Sequence, residues 1–218
     1  MLTQPRPAIH YPSSDGKRMA DNTLQFRWIV TIEGGLEALF RDDPNVFVAG
    51  DLLWYPVQDM SGISAAPDVM VVFGRPKGDR TSYVQHEEDQ QPPQVVFEIL
   101  SDSNSLLEML DKQDFYEEHG VQEYYLYDPR TNVLRGWYSD GAIFRKIHKP
   151  NGWVSPLLKI RFTLEKELVI YGPDGKAFLP YTELLAERNR ESQRADQAEK
   201  QNEQLRAKLR AAGLDPDA

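Results

Sequence analysis

The sequence predicts an α/β fold with a mixed central sheet flanked by helices and a long helix at the C-terminal end. Three observations predict it. Apolar runs of strand length occupy Phe47–Tyr55, Ala66–Phe73 and Gln94–Leu100, separated by segments rich in Pro, Gly and charge. A capped helical stretch at about 104–119 lies between the third run and a further strand, Glu123–Asp128. Strand, helix and strand in succession imply a parallel crossover pair. Beyond Pro180 the composition turns to Glu, Arg, Gln, Ala and Lys, with no Gly or Pro until Gly213, the pattern of a long helix.

Each element has its own justification. Residues 1–22, rich in Pro, Ser and Asp, read as an irregular arm. Asp21 or Asn22 offers a cap for a helix over Thr23–Arg41, whose stripe of Leu24, Trp28, Leu36, Leu39 and Phe40 is weakened at Gly34-Gly35. Gly74–Pro93, about 20 residues of turn-rich sequence, is too long for a connection without a role, so it is either mobile or part of a site. Ser105 and Glu108 have capping-box spacing, and Gly120 stands where a left-handed terminator is wanted. Turns at Asp128-Pro129, Asp140-Gly141 and Pro173-Asp-Gly175 punctuate Leu134–Tyr138, Ile143–Ile147 and Leu168–Tyr171, which implies antiparallel extensions of the sheet. The organisation expected is an arm at 1–22, one domain at 23–181 and a helical tail at 182–218.

Composition narrows the function. With 218 residues, 40% of them hydrophobic, the chain can bury one substantial core. No apolar run is long enough to cross a membrane, and the first residues lack the apolar stretch of a signal peptide, so a cytoplasmic protein without membrane contact is expected. The absence of cysteine excludes disulfides and thiolate metal sites, leaving oxygen or imidazole as ligands. His10, His86, His119 and His148 have no metal-ligand spacing and read as surface or capping residues. A net charge of −9 argues against broad electrostatic recruitment of nucleic acid, and residues 1–181 alone carry −8.

The chemistry is expected at Asp68, Glu98 and Lys112. In Gln94–Ser101 alternation places Glu98 on the face of Val96 and Leu100, where an ionised carboxylate is costly unless something positive meets it. Asp68 opens the run Val69–Val72 and poses the same question one strand away. Two such carboxylates raise each other's pKa unless a divalent cation lies between them, and magnesium, with manganese as its substitute, suits a site of two carboxylates and several waters. Lys112 shares a helix face with Met109 and Tyr116 and can turn back toward the acids. Asp68 and Glu98 as metal ligands, with Lys112 stabilising an anionic transition state, would suit phosphodiester hydrolysis. Taken singly, each has a plain structural account: a strand-entry aspartate, an edge-strand carboxylate paired with an arginine, and a lysine extending to solvent.

Pro67-Asp68, then Glu98 thirty positions on, then a lysine, resembles the PD-(D/E)XK nuclease superfamily. Gln94–Ser101 (QVVFEILS), Lys112 with Tyr116, Gly120-Val121 and Glu123–Pro129 (EYYLYDP) more closely resemble the Uma-two family of restriction-endonuclease-like bacterial proteins, over roughly residues 10–180. The resemblance implies a restriction-endonuclease-like sheet, a magnesium-dependent DNA endonuclease, and Asp68, Glu98 and Lys112 as its catalytic set. One departure matters. The superfamily lysine normally lies two residues after the acid, where this chain has Leu100; Uma-like sequences carry the lysine in the next helix. A first-helix glutamate often joins the site, and the sequence does not choose between Glu33 and Glu37.

Other residues have weaker claims. Asp51, on the strand before Asp68, is a candidate additional acid. Tyr116, Tyr124, Tyr125 and Tyr127 could stack on bases, but alternating aromatics in a strand are usually core. Arg75, Lys77 and Arg80 form the best local phosphate-binding patch. In the tail, Ala195, Ala198, Asn202, Leu205, Leu209 and Ala212 step by 3 and 4 as the seam of a short coiled coil, so residues 182–212 could form a homodimer or remain a solvated helix. Two further functions compete with the nuclease: a catalytically inactive module of the same fold binding nucleic acid or a partner protein, and a glycosidase-type carboxylate pair, which leaves Lys112 idle.

Overall fold

The computed structural model describes residues 9–16, 18–141 and 143–212, with the side chain of Leu106 also left out of the description. The ends of the arm and tail expectations, 1–8 and 213–218, lie outside these residues. The chain divides into two units at Phe178/Leu179.

The first unit is built on helix α1 (Thr23–Leu39), helix α2 (Leu106–Glu118) and a six-stranded sheet. Its strands are β1 (Val46–Gly50), β3 (Val69–Phe73), β5 (Val95–Ile99), β6 (Glu123–Asp128), β7 (Val133–Ser139) and β8 (Phe144–Lys146), adjacent in that order. β5 and β6 are parallel and all the other neighbours antiparallel, so the sheet is mixed as expected. The parallel pair is joined through α2. Ser105 caps that helix by accepting a hydrogen bond from Glu108 N–H at 3.1 Å, and Gly120, at φ +91°, turns the chain into β6.

The sheet is covered on both faces. On one, Trp28, Ile29, Ile32 and Leu36 of α1 bury Val69, Val71, Val95, Phe97 and Ile99. On the other, Met109 and Tyr116 of α2 pack on Met70, Val72, Val96 and Tyr124. Alternate residues of β3 and β5 thus serve opposite cores, so these strands read as unbroken apolar runs. Asn22 caps α1 through Gln25 N–H at 2.9 Å, and the helix runs through both glycines. Gly35 has a packing reason: a Cβ there would collide with the ring of Phe178.

Three expectations are corrected. The run Phe47–Tyr55 is two strands, because Asp51 takes a left-handed conformation (φ +48°) just past β1, and β2 (Trp54–Tyr55) pairs instead with β4 (Tyr83–Val84) in a separate small sheet. Asp51 is therefore not a strand residue. The segment 74–93 is pinned rather than loose: Arg75 and Arg80 both bind Glu88, Arg80 lies over the Phe47 ring at 3.9 Å, and Lys77 pairs with Glu37 at 2.9 Å. Each of its three cations thus has an acidic partner within the chain. Finally, β10 (Leu168–Tyr171) pairs with a strand the apolar pattern did not suggest, β9 (Arg161–Leu164), outside the main sheet.

The second unit contains helix α3 (Tyr181–Ala211), 31 residues with none buried. Among the described residues no helix is long and apolar enough to cross a membrane.

Candidate active site

Local backbone geometry brings Asp68 to Glu98. β3 and β5 pair with Val69 opposite Phe97, and the ladder stops there. Continued by one residue, the same register sets Asp68 opposite Glu98, on the same face of the sheet. Asp68 ends the ladder with its side chain: Oδ2 accepts a hydrogen bond from Ile99 N–H at 2.6 Å. Both carboxylates are deeply buried, Asp68 at 7% and Glu98 at 3% exposure. Glu98 lies on a central strand, not at an edge.

α2 supplies the counter-groups. Lys112 and Tyr116, one turn apart, both face the sheet. Lys112 Nζ donates to Glu98 Oε2 at 2.7 Å, and Tyr116 donates its hydroxyl proton to Glu98 Oε1 at 2.5 Å. Each oxygen of Glu98 therefore has its own donor, which is how a carboxylate survives burial. The Lys112 side chain remains 23% exposed, so the cation connects the buried acid to the surface.

The electrostatics distinguish the members. Burial raises the Asp68 carboxyl most, and the Glu98 charge adds to it; Lys112, the Ile99 amide and Gln25 oppose them without cancelling, and the pKa reaches about 8. Burial works against the Lys112 ammonium, but the charges of Glu98 and Asp68 outweigh it and hold its pKa above the ordinary lysine value. Burial and the facing Glu98 charge thus favour the protonated form of Asp68, beside the Lys112–Glu98 contact at 2.7 Å.

A cleft of about 910 Å³ opens over this cluster, with Asp68 and Lys112 in its wall. Among the described residues Asp15, Asp21, Asp51, Glu108, Asp111 and Arg18 also line it. Asp51 comes close because its N–H donates to the carbonyls of Pro67 and Asp68, and burial raises its pKa too. Of the remaining candidates, Glu37 is paired with Lys77 and Glu33 lies against Gly50; neither lines the cleft. Tyr116, Tyr124, Tyr125 and Tyr127 are all core, at 2% exposure or less, and cannot stack on a nucleotide. His10 and His148 are exposed as expected; His119 caps α2 through its backbone with its ring stacked on Phe115 at 4.4 Å, and His86 is part-buried against Tyr11 rather than a surface residue.

The first-helix residue that does line the cleft was missed in the sequence. Gln25 is buried, accepts from Asp21 N–H at 2.9 Å, donates to the Ile99 carbonyl at 3.0 Å and favours the ionised form of Asp68. Its signal was the spacing Asn22-x-x-Gln25, a capping pattern that turns a first-turn side chain back toward the chain entering the helix. Asp21, read only as a possible cap, instead binds Ser101 at 2.6 Å and Ser103, tying the entry to α1 onto the β5–α2 connection.

Residues 21–164, about two thirds of the chain, match the Uma2 family, described as "Putative restriction endonuclease". The chain belongs to the Uma2 family. The matched span includes α1, both buried acids, α2 and the whole mixed sheet. A solved structure similar to this Uma2 protein is that of a "putative nuclease belonging to DUF820" from Anabaena variabilis, with a TM-score of 0.47 and 14% identity over 62% of this chain and 73% of that one. No curated protein matches the chain.

The donor set fits a hard divalent cation in kind, with two carboxylates on facing positions, although Lys112 and Tyr116 occupy both oxygens of Glu98 and an ion there would have to displace or share them. It is sparse in number. Among the described residues no group of three or more His, Cys, Asp or Glu side chains is arranged to hold a metal ion. An ion held by Asp68 and Glu98 would therefore take most of its ligands from water, the habit of magnesium.

Proposed function

We propose that this Uma2 protein is a magnesium-dependent endonuclease that hydrolyses DNA phosphodiester bonds at the cleft above Asp68, Glu98 and Lys112, with manganese able to replace magnesium. The observation that carries the reading is the buried facing pair Asp68 and Glu98, with a lysine of α2 bound to one of them and reaching a cleft wall. Asp68 and Glu98 would hold the ion. When bound, it would supply positive charge to the scissile phosphate and lower the pKa of the attacking water. The protein's own groups do the rest. Lys112 sets a fixed positive charge at the cleft wall, where it can stabilise charge developing on the phosphate oxygens and orient the nucleophilic water. Tyr116 holds the second oxygen of Glu98 and so fixes the carboxylate plane. Gln25 and the Ile99 amide hold Asp68 from the α1 side.

One observation favours a second reading, a catalytically inactive nuclease-fold module that binds nucleic acid or a partner protein. Both oxygens of Glu98 already have donors, which leaves neither free for a metal ion. A plasmid-nicking assay separates the two. Wild-type protein with magnesium or manganese is expected to nick supercoiled DNA, Asp68→Asn to be inactive, and Lys112→Ala to lose cleavage while keeping metal binding. Wild-type protein that nicks no DNA with either metal, on several sequences, would leave the binding module as the better account.

A further inference from the structure

We propose that α3 pairs with the α3 of a second copy of this chain as a parallel, in-register, two-stranded coiled coil centred on Asn202. The inference is independent of the chemistry assigned to the cleft. It begins from a helix of 31 residues with none buried, on which Leu205 is 60% exposed. Isolated helices draw little stability from propensity alone, and most of a protein helix's stability comes from packing one apolar face. On α3 that face is Ala195, Ala198, Leu205, Leu209 and Ala212, interrupted once by Asn202, with alternating spacings of 3 and 4. This is the a/d seam of a left-handed coiled coil, with Ala195, Asn202 and Leu209 at a and Ala198, Leu205 and Ala212 at d.

Charge and polarity choose the partner and its direction. Taken with Ala195 at a, the register puts Arg194, Gln201 and Lys208 along one edge of the seam and Glu199 and Arg206 along the other. In a parallel in-register pair each residue of the first edge meets the residue five positions on in the other helix. Arg194 then faces Glu199 of the second copy, twice by symmetry, and Gln201 faces Arg206, so no like charges meet along these edges; before Ala195 the same register would set Arg188 and Glu191 against their own copies, which confines the pairing to 195–212. In an antiparallel pair each edge meets itself. Glu199 would face Arg206, but Arg194 would face Lys208, and the attraction on one edge is opposed by repulsion on the other.

Asn202 decides further. In the parallel register its amide meets its own copy and both can hydrogen-bond. In the antiparallel one it is buried against alanine or leucine with no partner. The helix is therefore self-complementary in one direction. A seam of six positions, three of them alanine, gives association that depends on concentration rather than a permanent dimer, and it places two copies of the Uma2 domain on one particle.

Sedimentation equilibrium of the full chain across the micromolar range tests this. The wild-type mass is expected to rise with concentration from 25.0 kDa toward twice that value. Leu205→Asp with Leu209→Asp should remain at the monomer mass. Arg194→Glu, at an exposed position of α3, should weaken association several-fold, and Arg194→Glu with Glu199→Arg should restore it. Because the chain has no cysteine, Ala195→Cys is a unique probe of direction: mild oxidation with oxidised glutathione should link two chains through residue 195. Monomer at every concentration, a dimer that survives the two aspartates, or a dimer in which position 195 does not cross-link would each overturn the proposal.

Discussion

Asp68→Asn changes one ionisable group and little else: the amide keeps an oxygen to accept the Ile99 N–H and nearly the same volume. In the folded protein burial and the Glu98 charge raise the Asp68 pKa to about 8, against an ordinary carboxylate value of 3.8 once the chain unfolds. Between those values the folded state holds a proton that the unfolded state has released. Stability from this group is complete below about pH 4 and is lost as pH rises toward 8, at about 1.4 kcal/mol per pH unit. Over pH 5 to 7 the loss is about 3 kcal/mol, a large share of a typical domain's stability. Urea denaturation followed by tryptophan fluorescence, with Trp28 and Trp54 both buried, measures it at pH 5, 6, 7 and 8 in the presence of chelator. The stability of Asp68→Asn relative to wild type should rise by about 1.4 kcal/mol per pH unit from pH 5 to 7 and less steeply from 7 to 8. Groups that do not interact with Asp68 cancel in that difference. A difference that stays constant from pH 5 to 8 would show that Asp68 is not held protonated, and the electrostatic account of the pair would fail.

Three other variants probe the same structure by denaturation. Lys112→Met removes the cation and strands a buried carboxylate, at an expected cost of about 3–5 kcal/mol, and adding Glu98→Gln should recover much of it; equal losses in the single and double variants would deny the coupling. Tyr116→Phe leaves Glu98 Oε1 without its donor and should cost about 1–3 kcal/mol, whereas a neutral result would mean that the oxygen finds another partner. In α1 the two glycines should respond oppositely. Gly34 has open space where a Cβ would stand, so Gly34→Ala should stabilise by about 1 kcal/mol, while Gly35→Ala should destabilise because it drives a methyl group into Phe178.

Much of the fold was legible because local signals agreed. Ser105 and Glu108 at capping distance, Gly120 at a positive φ and the apolar runs on either side together specify the β5–α2–β6 crossover. The two buried acids were legible for a related reason: a carboxylate inside an apolar strand has to be answered by something. What could not be read depended on partners far away in sequence. Asp51 breaks the first run because its backbone adopts a left-handed turn beside Pro67, and nothing in Gly50-Asp51-Leu52 alone distinguishes that from a strand. Arg75 and Arg80 look like a phosphate patch until Glu88 and Phe47 are seen to engage them. Gln25 enters the site from α1 through the Ile99 carbonyl, 74 residues away, while the more suggestive Glu33 and Glu37 stay outside the cleft wall.

The central claim, that Asp68 and Glu98 together hold a divalent cation, is tested most directly by calorimetric titration of manganese and magnesium into wild type, Asp68→Ala and Glu98→Ala near pH 7, each in two buffers of different ionisation enthalpy. Wild-type protein is expected to bind one ion and to release close to one proton, because Asp68 must give up the proton it holds at that pH. Both variants should lose that binding. Equal, weak binding in all three proteins, or wild-type binding without proton release, would contradict the account.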